Sequence, residues 1–172
     1  MNIRIARTLL LSIAITAIFA VSQVSAQYAY SNDYGQKSST VSVFAATDLK
    51  SDDSGYGLSL TLKNDPNSTL TYVHFDNFDV LQVSKSQPSK LAGFPINVGI
   101  VLGYANSRVD DLEIDRPDGL LTGLEASMSL GKPQSNFSVD IKASSLTESV
   151  NPIKWITDTD LLWVGAGITF KY

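Results

Sequence analysis

Cysteine is absent from the 172 residues, so the chain forms no disulfide, offers no thiolate to a metal and has no cysteine at which a lipid anchor could be attached. It has a single histidine, His74, which excludes multi-histidine metal sites and leaves any histidine-dependent catalysis to one ring. After residue 26 there is no apolar run of the ~20 residues a spanning helix needs, so that part of the chain is expected to pass fully through an inner membrane. Positive charge is also short: Lys and Arg number 13 against 17 Asp and Glu. An acidic chain is a poor match for a polyanion, and no nucleic-acid partner is expected. No internal repeat longer than the strand period and no Pro-rich or Gly/Ser-rich linker divides the sequence.

What the N-terminus does have is an ordered set of signals. Arg4 and Arg7 precede an apolar run from Leu9 to Val21, and the small residues of Val24-Ser25-Ala26 follow. This order is that of a secretory signal peptide, with cleavage expected between Ala26 and Gln27. The apolar run is too short for a retained spanning anchor. Residues 1–26 hold two arginines and no acid, so residues 27–172 carry −6 where the whole chain carries −4.

The rest of the chain alternates. Leu58, Leu60 and Leu62 interleave with Ser59, Thr61 and Lys63, and Phe94, Ile96, Val98, Ile100, Leu102 and Tyr104 interleave with Pro95, Asn97, Gly99, Val101 and Gly103. Leu120 to Gly131 and Phe137 to Ala143 behave alike, with Leu124 expected outward and Glu125 inward. In the last strand Leu162, Val164, Ala166, Ile168, Phe170 and Tyr172 form an apolar row against Trp163, Gly165, Gly167, Thr169 and Lys171. Thr40 to Thr47 is β-rich with a less regular pattern, because Phe44 falls in the row of Ser42 and Ala46. A period of two marks strands with one apolar face. Ten steps of ~3.4 Å from Phe94 to Tyr104, tilted by ~40°, give a height of about 26 Å, close to the ~25 Å apolar band of membrane barrels.

The stretch Thr69 to Ser84 reads either as two strands split at Asp76-Asn77 or as one. The split gives eight strands; the alternative requires an extra strand within Tyr28 to Tyr34. The split is preferred, since it puts the short Asn64–Ser68 segment at one end and the acidic Asp48–Ser54 segment at the other. The connections 106–118 and 147–158 are long and 132–135 is tight, the asymmetry of barrels with long external loops and short periplasmic turns.

The ending Ile168-Thr-Phe170-Lys-Tyr172 resembles the C-terminal signature of bacterial outer-membrane β-barrels, with Tyr172 where Phe is commoner. The signal peptide, strand pattern and terminal row together resemble the small eight-stranded barrels of OmpA/OmpX-like architecture. Asp52-Asp-Ser-Gly-Tyr-Gly-Leu58 is similar to a hairpin of YfaZ-type barrels. The resemblance implies an all-β, antiparallel up-and-down transmembrane β-barrel of about eight strands over 27–172, located in the bacterial outer membrane. It further implies that Ile168, Phe170 and Tyr172 form an assembly signal, read by the outer-membrane assembly machinery after delivery by periplasmic chaperones. Lipid and lipopolysaccharide are the implied surroundings, and the chain is expected to be monomeric.

Few residues could carry chemistry. His74-Phe-Asp76 places His and Asp on one strand face, and a hydrolase would need a serine from another strand; a polar interior or loop rim accounts for the pair as well. Some outer-membrane lipid A deacylases use His and Ser, but no local match to them is present. Glu125, Asp140, Lys142, Lys63 and Lys171 fall on inward rows, where opposite charges suggest an ion-pair network filling a lumen only wide enough for side chains or one small ligand. Asp110, Asp111, Glu113, Asp115 and Asp118 depart from the spacing of an EF-hand calcium loop and read as a solvated acidic loop. No cofactor or metal is expected. The leading expectation is a non-enzymatic barrel of structural or surface-interaction type, with loops 106–118 and 147–158 as contact surface. The alternatives are a narrow channel or small-ligand carrier, and a lipid-modifying outer-membrane enzyme.

Overall fold

The computed structural model describes residues 39–62, 64–92, 94–108, 117–130 and 136–172. Eight strands, β1 (Thr40–Asp48), β2 (Ser54–Leu62), β3 (Asp65–Phe75), β4 (Phe78–Leu91), β5 (Phe94–Ser107), β6 (Gly119–Leu130), β7 (Phe137–Thr147) and β8 (Leu161–Lys171), close into one barrel in sequence order. Every neighbour is antiparallel, and β8 returns to pair with β1. Closure leaves no free sheet edge around the ring, which satisfies the backbone polar groups without solvent. A single short helix, α1 (Lys154–Thr157), interrupts the β7–β8 connection.

The register fixes the shape. Paired residues run from Thr40 through Thr61, Thr69, Ser84, Val101, Gly123 and Leu146 to Leu161. Trp163 pairs with Asp48, so Leu161 falls level with Lys50, ten residues beyond Thr40 on β1. A stagger of ten over eight strands tilts them by about 40° and gives a radius of about 8 Å at ordinary strand spacing. Such a bore is filled by side chains.

The split at Asp76-Asn77 is borne out: β3 and β4 are separate strands, and the eight described strands close without any contribution from Tyr28–Tyr34, which lies outside the described residues. Asp65–Ser68, expected in a turn, belong to β3, with a register irregularity between Thr61 and Leu62. β7 runs on to Thr147 instead of ending at Ala143, because β6 and β8 both continue to pair with it. β4 and β5 are the longest strands, at 14 residues each, and their shared hairpin continues past the last pairs with β3 and β6.

The two faces divide as the alternation requires. Leu58, Leu70, Val83, Ile100, Leu102, Leu120, Val139, Ile168 and Phe170 point outward and are exposed, whereas Ser59, Thr71, Gln82, Ser84, Glu125, Lys142 and Thr169 point inward and are buried. Leu124 lies on the outward row, half-buried, paired with Ile100 and Ser145. The irregular β1 pattern has a cause in its neighbours. Phe44 points inward, and it fits because the facing positions are glycines: Cβ atoms added at Gly57 and Gly167 would lie 2.2 Å and 2.4 Å from its atoms. At Gly167 the same Cβ would also meet the Val43 carbonyl oxygen at 2.0 Å. Gly167→Val is therefore expected to destabilise the folded barrel by about 1–3 kcal/mol or more through overpacking. Denaturant titration beside wild type measures it, and an unchanged midpoint would refute this account of Phe44.

Candidate functional site

The lumen has two halves of opposite character. Toward the loop end it is apolar: Phe44, Ala46, Val73, Phe75, Phe78, Val80, Val101, Ala105, Leu121, Leu146, Leu161 and Trp163 form one buried cluster. Phe44 stacks on Trp163 with ring centroids 5.7 Å apart, and Phe75 stacks on Phe78 at 4.7 Å across the β3–β4 hairpin. One stack comes from β1 and β8 and the other from β3 and β4, and both belong to the same buried cluster. Above them Asp48 accepts bonds from the Lys50 and Ser51 amides and the Ser51 hydroxyl, fixing the β1–β2 turn.

Toward the turn end the lumen is a polar cavity of ≈ 210 Å³ whose lining includes Ser42, Thr61, Glu125, Asp140, Lys142 and Lys171. Glu125 accepts hydrogen bonds from Gln82 Nε2 and Ser84 Oγ, each 2.9 Å. Asp140 accepts from Ser138 Oγ at 3.0 Å and from the hydroxyls of Ser129 and Thr169. The Lys142 ammonium donates to Ser59 Oγ at 2.6 Å and lies 5.5 Å from the Phe44 ring centroid. Glu125, Asp140 and Lys142 are thus held by hydroxyls, an amide and a ring face, and among the described residues no direct ion pair of the kind expected joins them. Register explains this: Lys142 is level with Ser127 and Glu125 with Ser144, so short hydroxyls stand between the charges. Lys63 lies outside the described residues.

His74 points outward near the loop end. Its Nδ1 bonds Asp79 Oδ1 at 2.8 Å, so its partner is Asp79 on the next strand, whereas the sequence spacing suggested Asp76. Tyr72 donates to the same Asp79 oxygen at 2.7 Å, Arg108 Nε approaches Oδ2 at 3.4 Å, and the Tyr56 ring lies 4.8 Å from the imidazole. Among the described residues no serine or threonine hydroxyl is bonded to His74. The arrangement is a polar and aromatic cluster at the rim of the barrel.

The connection 148–160 returns over the outside of the barrel. Trp155 Nε1 donates to Thr122 Oγ1 at 2.9 Å and to the Ser149 carbonyl at 3.0 Å, and Ser145 Oγ donates to the Trp155 carbonyl at 2.5 Å. Thr122 and Ser145 stand on outward rows, which is why Thr147 is buried although it too faces outward. The Lys50 ammonium holds the far end of the loop through the Thr159 carbonyl at 2.6 Å. The sequence marked this segment as a loop, but nothing in its local pattern shows which surface it covers. Of the acidic loop, residues 109–116 lie outside the described residues, as do the cleavage site Ala26-Gln27 and the turn 132–135; no carboxylate or histidine cluster suited to a metal occurs among the described residues. Ile168, Phe170 and Tyr172 share one exposed outward row.

No protein-family model and no curated protein matches the sequence. Among solved structures the chain is similar to the N-terminal β-barrel domain of OprF from Pseudomonas aeruginosa, with 15% identity, 80% of this chain and 99% of that one covered, and a TM-score of 0.45. It is also similar to the de novo designed TMB2.3, with 11% identity, 81% and 97% covered, and a TM-score of 0.46.

Proposed function

We propose that this chain is a bacterial outer-membrane β-barrel that serves as an anchor for its external loops and does not act as a pore or an enzyme. The observation that carries this reading is the pairing of an apolar exterior with a closed bore. Apart from Val150 and Ile153, the exposed large hydrophobic residues described all belong to outward strand rows or continue them. A soluble protein does not leave so extensive an apolar surface in water, whereas lipid is its natural solvent. On this reading the buried aromatic and aliphatic cluster packs the bore at the loop end, and the polar cavity lies toward the turn end. In this orientation the four connections 49–53, 76–77, 108–118 and 148–160 are extracellular, and the cavity opens toward the periplasm.

The test is conductance of the refolded protein in a planar bilayer. No stable current steps are expected; reproducible ohmic steps would overturn the anchor reading in favour of a narrow channel. Unchanged lipid A mass on expression is the matching result for a non-enzymatic role. Assembly gives a further expectation. Tyr172→Asp puts a charge at the periplasmic rim of the row Ile168, Phe170, Tyr172, and the heat-modifiable folded form should fall in membrane extracts. Wild-type yield of that form would count against this row as an assembly signal.

A further inference from the structure

We propose that the β7–β8 connection, residues 148–160, is a lipid-seated clasp that presents Val150, Ile153 and Trp155 to the headgroup–acyl boundary of the outer leaflet. The inference rests on the membrane reading above and adds a specific contact to it.

Position is the first argument. Thr122, which holds the Trp155 indole, lies further from the loop rim on β6 than Leu120, and Leu120 is 60% exposed on the outward face beside Tyr104. The indole is therefore attached below the upper edge of the apolar band, not above it. Whatever solvent surrounds Leu120 and Tyr104 also surrounds the loop. α1 packs against β7 and β6, so the segment continues the outward face and does not cover the mouth of the barrel.

Composition is the second. Val150 and Ile153 are 77% and 70% exposed, a level that among the described large hydrophobic residues only Tyr172 shares, and each stands in a segment whose backbone is fixed. Ile153 N donates to Asn151 Oδ1 at 3.0 Å, Lys154 N to the Asn151 carbonyl at 2.9 Å, and Glu148 N to Asp160 Oδ2 at 2.8 Å. The side chains are thus held outward and have no local route into a core. A fixed, amphipathic loop with an indole at one end matches the chemistry of the membrane interface, where an apolar ring body and a polar N–H are both accommodated. Lys154 and Asp158, paired at 3.7 Å and both exposed, supply the polar side.

The chain has two tryptophans, Trp155 on the outside and Trp163 buried in the lumen, so the emission lost in Trp155→Phe isolates the loop without touching the plug. The protein is refolded into phosphatidylcholine vesicles brominated near the headgroup end or near the methyl end of the acyl chains. Trp155 emission is expected to be quenched by the shallow label more than by the deep one. Ile153→Asp should shift that emission to longer wavelength and remove the shallow quenching while the heat-modifiable barrel band is kept. A Trp155→Phe, Leu58→Trp variant supplies the control. If the Leu58→Trp reporter is quenched by bromolipid and Trp155 is not, the clasp is refuted and the membrane barrel stands. If neither is quenched, both readings fall.

Discussion

Trp163→Ala is expected to lower the unfolding free energy of the barrel by about 3–5 kcal/mol, the cost of truncating a large aromatic in a packed interior. Trp163 is fully buried and stacks on Phe44, whose own position depends on the missing side chains of Gly57 and Gly167. The walls cannot collapse into the space left behind, because the closed ring of strands sets the diameter. Relaxation should recover little. Trp163→Phe keeps an aromatic face against Phe44 and is expected to cost distinctly less. Equilibrium denaturant titration of both variants in phospholipid vesicles is the measurement. An Ala variant as stable as wild type would show that the plug is not packed as described.

Leu58→Arg should cost about 2–4 kcal/mol in the same vesicles, the range for a cation on the lipid face near the bilayer midplane. Leu58 is the central residue of β2, points outward, and faces Val43 on β1 and Tyr72 on β3. Tolerance at the level of an ordinary surface change would remove the bilayer from the account, and a soluble barrel would replace it.

The strands were legible because alternation is a local property, and a barrel with an apolar outer face and a packed lumen imposes it along each described strand. Boundaries were less legible where alternation lapses. Ser144-Ser145 is polar on both faces, so nothing in the local pattern extends β7 beyond Ala143, yet pairing with β6 and β8 does. Phe44 was out of pattern on β1, and its explanation lies in Gly57 across the β1–β2 hairpin and Gly167 on β8, which only closure of the sheet brings near it. Glu125, Asp140, Lys142 and Lys171 were correctly placed on inward rows, but their partners were not, since a row gives direction and no level. His74 shows the same limit: Asp76 is two residues on in the chain, just past the end of β3, and Asp79 reaches it only through the β3–β4 pairing.

The β4–β5 hairpin has a consequence for solubility. β3 pairs with β4 only as far as Lys85 and β6 with β5 only as far as Asn97, so the remainder of the hairpin stands beyond the described ring as a two-stranded ribbon. A ribbon of this kind exposes backbone donors and acceptors on both margins, a template on which another chain could add a strand. Pro88 and Pro95 fall within it, one on each strand, and Lys90 is paired with Pro95. Each proline removes a donor from its margin, and a lysine there penalises a neighbouring strand. A feature that weakens two strands as ladder partners thereby keeps this open stretch of sheet from recruiting a stranger.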